Sequence, residues 1–355
     1  MMRRAIALVL SLCTLVGLAS SCGEDVDWIP PHADQAERFW VTSEEDAWAH
    51  IQRYAAEGPP VLLVHGISSN HHFWDLAPGR SLALDLHRRG MDVYNMDLRG
   101  HGFARRGPNG RKQKAGWSID DYGAFDMASA IVEIQRRRPE QPVHVVGHSM
   151  GGMVLAIYLA LTPQPPLASA VVVASPLDFR DPDAAMRRML GSSWIAMLTG
   201  FTPTPMGARF LAGFGEKAPF HGDEWVLNPD NYTREAYTQT MRRVVSPLSR
   251  GEVAQFRQIG EDGEFRSENG GMVYRTSLGH VRVPMRFLAG RADHIVSPDR
   301  VRAYFEAVGS RDKDFIIAGR EHGFAADYGH LDFGPSDHAE AEIYPLVADW
   351  IESHP

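Results

Sequence analysis

The stretch VVGHSMGG, residues 145–152, sets a serine between glycines directly after a run of valines. VHVVG, ending at Gly147, is nearly continuous in apolar residues, as expected of a strand buried on both faces. MGGMVLAIYLALT, from Met150, reads as a helix. Between them lies G-x-S-x-G, formed by Gly147, His148, Ser149, Met150 and Gly151. A strand that turns into a helix this sharply leaves little room for side chains two positions before and after the serine. The serine then stands at the carboxyl end of a sheet, with its backbone N–H facing the start of the helix. A bare five-residue match carries little weight, but its setting between strand and helix is the context this chemistry requires.

Outward from this turn the chain alternates. Strands are expected in PVLLVHG (60–66), MDVYNMDLRG (91–100), SAVVVASP (169–176), VPMRFLAGRAD (283–293) and KDFIIAG (313–319). Helices are expected in SLALDLHRRG, in SIDDYGAFDMASAIVEIQRRR with a capping box of Ser118 and Asp121, in SPDRVRAYFEAVG and in DHAEAEIYPLVADWIE. Strands alternating with helices predict an α/β fold with a mostly parallel, doubly wound sheet. TSEEDAWAHIQRYA reads as a further helix capped by Thr42 or Ser43. Between Pro176 and Val281 no strand is expected, and methionines and aromatics are frequent. A mostly helical insertion over 177–281, acting as a cap over an apolar pocket, fits that composition. The expected core is 58–176 with 282–355, preceded by a segment 22–57.

The 355 residues carry a formal charge of −8, which argues against a nucleic-acid partner. Arg136, Arg137 and Arg138 are expected at a solvated helix end. The first 21 residues, with two arginines, an apolar run from Ala5 to Ala19 and then small residues, have the layout of an export signal. Ala19, Ser20 and Ser21 before Cys22 resemble a bacterial lipobox, although leucine is usual where Ala19 stands. The resemblance implies lipidation of Cys22 and a membrane anchor. Cys13 and Cys22 are the only cysteines, so the body of the chain can form no internal disulfide and offers no cysteine cluster for a metal.

A serine hydroxyl needs a base, and the base needs an orienting carboxylate. With the serine on a strand-to-helix turn of this kind, the chain order is serine, acid, histidine. Asp293, just past MRFLAG, is the first candidate for the acid, with Asp178 after AVVVASP as the alternative. The base is expected after DFIIAG, where His322 in REHGF and His330 in DYGHLDF compete, with His338 further on.

LLVHG, DLRGHG, VGHSMGGM, LAGRADHIVSP and YGHLDF together resemble the α/β-hydrolases, over about residue 58 to the end. GHLDF is similar to the region around the base in the lipase-like branch that includes acid lipases, which favours His330. The long insertion before the acid is similar to that branch's cap. The resemblance implies an oxyanion hole from the backbone N–H of Met150 and, through the His65-Gly66 pair, of Ile67. It implies a turn role for Asp97 and Arg99 rather than a catalytic one. The expected activity is cleavage of a carboxylic ester with an apolar acyl group, through an acyl-enzyme on Ser149 and without metal or organic cofactor. Acyl transfer, thioester cleavage and non-catalytic capture of an apolar ligand are the alternatives. Polyester synthases similar to this branch commonly use cysteine, and dehalogenases of this fold use aspartate, where this chain has Ser149. Asn231-Tyr232-Thr233 matches a glycosylation sequon, to which a bacterial chain gives no role.

Overall fold

The computed structural model describes residues 31–44, 46–114, 116–180 and 226–355. An eight-stranded sheet forms the centre. Its strands are β1 (Glu37–Glu44), β2 (Ala47–Tyr54), β3 (Pro60–Val64), β4 (Asp92–Asp97), β5 (Val143–His148), β6 (Leu167–Val173), β7 (Met285–Gly290) and β8 (Lys313–Ala318). Their spatial order is β1-β2-β4-β3-β5-β6-β7-β8. From β4 to β8 every pairing is parallel, while β1 and β2 add an antiparallel edge. The order reverses at β3, which has β4 on one side and β5 on the other. A crevice opens at such a point beyond the carboxyl ends of the strands.

Alternation along the strands builds two cores. Leu62, Val64, Tyr94, Met96 and Val145 face one layer. Val61, Leu63, Val93, Val146 and Val171 face the other. The first layer is filled by Ala128–Arg137 (which continues a short helical turn and a π-helical stretch, Tyr122–Met127) and by the helix Met150–Leu161, called α1 here. The second is filled by Leu82–Arg88 and the terminal helices Ala339–Glu342 and Tyr344–Glu352.

All six expected parallel strands form. The helix expected over 42–55 does not. This segment is the hairpin β1–β2, turning at Asp46 with φ 61°, and it extends the sheet beyond the expected start of the core at residue 58. Its helix-like pattern arises because His50 and Gln52 are polar yet buried. Gln52 donates to Asp75 at 2.6 Å, so these side chains belong to an interior network rather than to a wet helix face.

Within the expected insertion, the described residues include the helices Arg234–Arg243 and Arg250–Asp262. Its residues 181–225 lie outside the described residues. The second of these helices is seated on the core. Ser249 caps it in a capping box with Glu252 and donates to the Trp117 carbonyl at 2.6 Å. Gln255 accepts from the Ile119 N–H at 2.8 Å. Of the three arginines at the helix end, Arg138 differs from expectation. Arg136 is a surface residue paired with Glu133, but Arg138 is largely buried and donates to the carbonyls of Ala56 and Gly58 at 3.0 Å, tying the helix end to the entry of β3.

The turn after β4 is rigid, as the resemblance implied. Asp97 accepts from the backbone N–H of His71 at 2.7 Å and of Phe103 at 2.9 Å. Burial pushes its carboxyl up, but the imidazoles of His71 and His50 outweigh burial and hold it well below the usual carboxylate range. Arg99, 1 % exposed, donates to Asp126 and to Glu44 at 2.6 Å each and to Ser43 at 2.9 Å. Replacing Arg99 with alanine strands the fully buried Asp126 carboxylate. It is expected to lower the unfolding free energy in urea titrations by about 3–5 kcal/mol.

Candidate active site

Ser149 is the pivot between β5 and α1, with φ 51° and ψ −118°, a left-handed conformation that costs a non-glycine residue about 1–3 kcal/mol. Its N–H donates to the Val173 carbonyl at 2.8 Å, and its own carbonyl accepts from Gly152 and Met153. The two motif glycines make this turn possible. A Cβ on Gly147 would meet the Gly151 carbonyl oxygen at 2.7 Å, and one on Gly151 would meet that of Val64 at 2.5 Å.

His330 and Asp293 converge on this serine from the loops after β8 and β7. His330 Nε2 lies 2.9 Å from Ser149 Oγ and His330 Nδ1 2.8 Å from Asp293 Oδ2. A carboxylate only accepts, so Nδ1–H donates to Asp293, and Nε2 is left to accept the serine hydroxyl. The other Asp293 oxygen accepts from the N–H groups of Ile295 at 2.8 Å and Val296 at 2.7 Å, which fixes the carboxylate. All three side chains are buried.

The competing candidates lie elsewhere. His322 sits on an exposed turn facing Glu321 at 3.4 Å, and Asp178 pairs with Arg180. His338 is the residue before the helix Ala339–Glu342. Cys22 lies outside the described residues.

Met150 opens α1, so its N–H is one of the helix's free donors and lies at the positive end of the helix dipole. Ile67 follows Gly66, which packs so closely against Ser149 that a Cβ there would come within 3.0 Å of the serine Cβ. His65 is fully buried. Its Nδ1–H donates to the Gly66 carbonyl at 2.8 Å, and its Nε2 accepts from the Leu98 N–H at 3.2 Å. Burial and the nearby His101 push it down to about 3, so the ring is neutral. In a trans peptide the C=O and the next N–H point in opposite directions. Holding the Gly66 oxygen therefore fixes the direction of the Ile67 N–H.

Two supports were not legible as site residues. His148 stacks on Phe73, with ring centres 4.0 Å apart, and its Nε2–H donates to the His330 carbonyl at 2.9 Å. Burial and the adjacent His330 push it well below the imidazole range, so it stays neutral. Asp332, two residues after His330, accepts from the N–H of Gly329 and from Asn231 Nδ2 at 2.7 Å each, and from the Asn228 N–H at 3.2 Å. Asn228 and Asn231 also donate to the Asp327 carbonyl, and the Leu331 N–H donates to the Val226 carbonyl. The loop that carries His330 is thus strapped to the segment 226–231 of the insertion.

Residues 59–198 match the family described as the alpha/beta hydrolase fold. A poly(3-hydroxyalkanoate) polymerase subunit of Haloferax mediterranei is 24% identical over 82% of this chain and 58% of its own length. The chain therefore spans less than two thirds of that relative. The lipase LipV of Mycobacterium tuberculosis is 34% identical over 36% of this chain and 41% of its own. Among solved structures, a monoacylglycerol lipase of Paleococcus ferrophilus superposes with a TM-score of 0.57 at 18% identity, covering 86% of this chain and 99% of that one, a likeness of fold. The chain has the α/β-hydrolase fold, and the proteins it is similar to include lipases.

Burial pushes the Asp332 carboxyl up to about 7 against the donors that favour its ionised form. An unfolded aspartate titrates near ~3.9, so between these values the folded chain holds the extra proton. Its contribution to stability is complete below pH ~4 and is lost as pH rises through 7. Urea titrations from pH 5 to 8 are expected to show this decline in the wild type and a flatter profile in Asp332→Asn.

Proposed function

We propose that the protein cleaves carboxylic esters through a Ser149–His330–Asp293 triad. The observation that carries this reading is the hydrogen-bonded chain through His330, with Nε2 at 2.9 Å from the Ser149 hydroxyl and Nδ1 at 2.8 Å from Asp293. His330 takes the hydroxyl proton as Ser149 Oγ bonds to the ester carbonyl carbon. The carbonyl oxygen becomes an oxyanion held by the Met150 and Ile67 N–H groups, worth roughly 3–4 kcal/mol each in such sites. The tetrahedral intermediate then expels the alkoxide, which receives the proton from His330, and an acyl-enzyme remains. Water, deprotonated by His330, attacks that ester, releases the acid and restores Ser149. Asp293 keeps the imidazole in the required tautomer and stabilises its charged form.

A second reading, transfer of the acyl group to an acceptor other than water, draws on a specific contrast. The polymerase subunits align with 82% and 86% of this chain, whereas the lipase LipV aligns with 36%. Ser149, a serine like the lipase nucleophiles, favours hydrolysis. Incubation with a hydroxyacyl thioester separates the two: free hydroxy acid supports hydrolysis, and chain-extended polyester supports transfer. We also propose that residues 1–21 direct export and that Cys22 carries a lipid anchor, which mass spectrometry of the mature N-terminus tests.

A panel of p-nitrophenyl esters of graded acyl length reads the main reaction. Ser149→Ala is expected to abolish turnover and labelling by a fluorophosphonate, whereas labelling absent from the wild type would leave only a ligand-binding scaffold. Asp293→Asn is expected to cut kcat roughly 10⁴-fold through the wrong tautomer. His330→Ala should be inactive, and His322→Ala should keep most of the rate.

A further inference from the structure

The loop that follows β4 carries a charge pattern at odds with the rest of the chain. ARRGPNGRKQK, residues 104–114, holds Arg105, Arg106, Arg111, Lys112 and Lys114 and no acid, in a chain of formal charge −8. Arg106, Arg111, Lys112 and Lys114 are exposed, and no carboxylate among the described residues pairs with them. A run of surface cations is usually no more than a solvated face. This one is built to hold its shape. Gly107 N–H donates to the Arg111 carbonyl at 3.0 Å, Gln113 N–H donates to that of Arg105 at 3.1 Å, and the Gln113 side chain bridges both backbone groups of Trp48. Arg106 Nη1 donates to the Gly110 carbonyl at 2.8 Å, which leaves the guanidinium charge uncompensated.

An exposed aromatic borders the cations. Trp40 is 39% exposed, yet its indole N–H is fixed on the Arg106 carbonyl at 3.0 Å. Large aromatics beside lysines and arginines are the composition of a surface that rests in the headgroup layer of a bilayer. Glu44, on the neighbouring hairpin, is engaged by Arg99. The loop's direction also matters. β4, β3 and β5 run parallel, so the loop leaves the sheet at the same end as Ile67 and Ser149.

We propose that residues 104–114, with Trp40, form a docking surface for anionic phospholipid bilayers, which turns the Ser149 end of the sheet toward the lipid. Trp40 at the border of the cations favours a lipid interface over nucleic acid or another soluble polyanion. The inference stands independently of the ester-cleaving reading, because it concerns binding alone.

Cosedimentation of the full chain with vesicles tests it. Vesicles of phosphatidylcholine and phosphatidylglycerol at a ratio of 3:1 are compared with pure phosphatidylcholine, so any lipid anchor contributes equally to both. The wild type is expected to bind the anionic vesicles more tightly and to lose that preference in 1 M salt, where charges are screened within about 3 Å. Arg111→Gln, Lys112→Gln and Lys114→Gln together replace three exposed side chains that have no partner among the described residues, so folding is not at stake. The triple variant should lose roughly a hundredfold in the anionic preference, about fivefold for each cation. Equal binding of the wild type to both vesicles overturns the proposal, as does an undiminished preference in the triple variant. Retention on heparin without any preference for anionic vesicles overturns it as well.

Discussion

Everything at the centre of this molecule follows from how closely two pieces of backbone approach at the turn after β5. Gly151 lies so near the Val64 carbonyl that no side chain fits between them, and Gly147 is equally crowded by Gly151. This contact presses the first turn of α1 onto the end of β3. It brings the free N–H groups of a helix start beside the loop containing Gly66 and Ile67. It also forces Ser149 into a left-handed conformation, which hydrogen bonds to the Val173 carbonyl and from the N–H groups of Gly152 and Met153 hold in place. The strained backbone sets the direction of the Ser149 hydroxyl toward His330.

Around this point the protein spends buried polar groups on orientation. His65 directs a peptide, His148 holds the backbone of His330, and Asp293 holds its ring. His65 and His148 are kept neutral by burial, so they act as fixed donors and acceptors and not as charges. The turn after β4 is organised differently. It relies on a buried ion pair, Arg99 with Asp126, and on an aspartate surrounded by imidazoles. Such a network leaves little freedom in the backbone from which the cationic loop projects.

The parallel strands were legible because each is a short apolar run bounded by glycine or a turn, a pattern that burial on both faces imposes. The serine and Asp293 were legible because their positions after strands are fixed by the order of the fold. The choice of His330 over His322 was not available from residue type. It needed the similarity of GHLDF, and the geometry now brings His330 to Ser149 and leaves His322 exposed. The edge hairpin was misread because interior hydrogen bonding hides polar residues in a strand, as at Gln52. The strap on the His330 loop was invisible for a related reason. Asn231 looks like part of a surface sequon, yet its amide is buried against Asp332 and Asp327, and no local pattern announces a partner about a hundred residues away.

That strap joins two tasks that the fold could have kept apart. The segment 226–231 belongs to the insertion before the acid, and it grips the stretch of backbone on which the imidazole rides. A shift in the returning limb of the insertion is therefore also a shift of the His330 ring relative to Ser149. In the proposed reaction, the position of that limb and the alignment of the imidazole with Ser149 are mechanically one variable, set by side chains outside the triad.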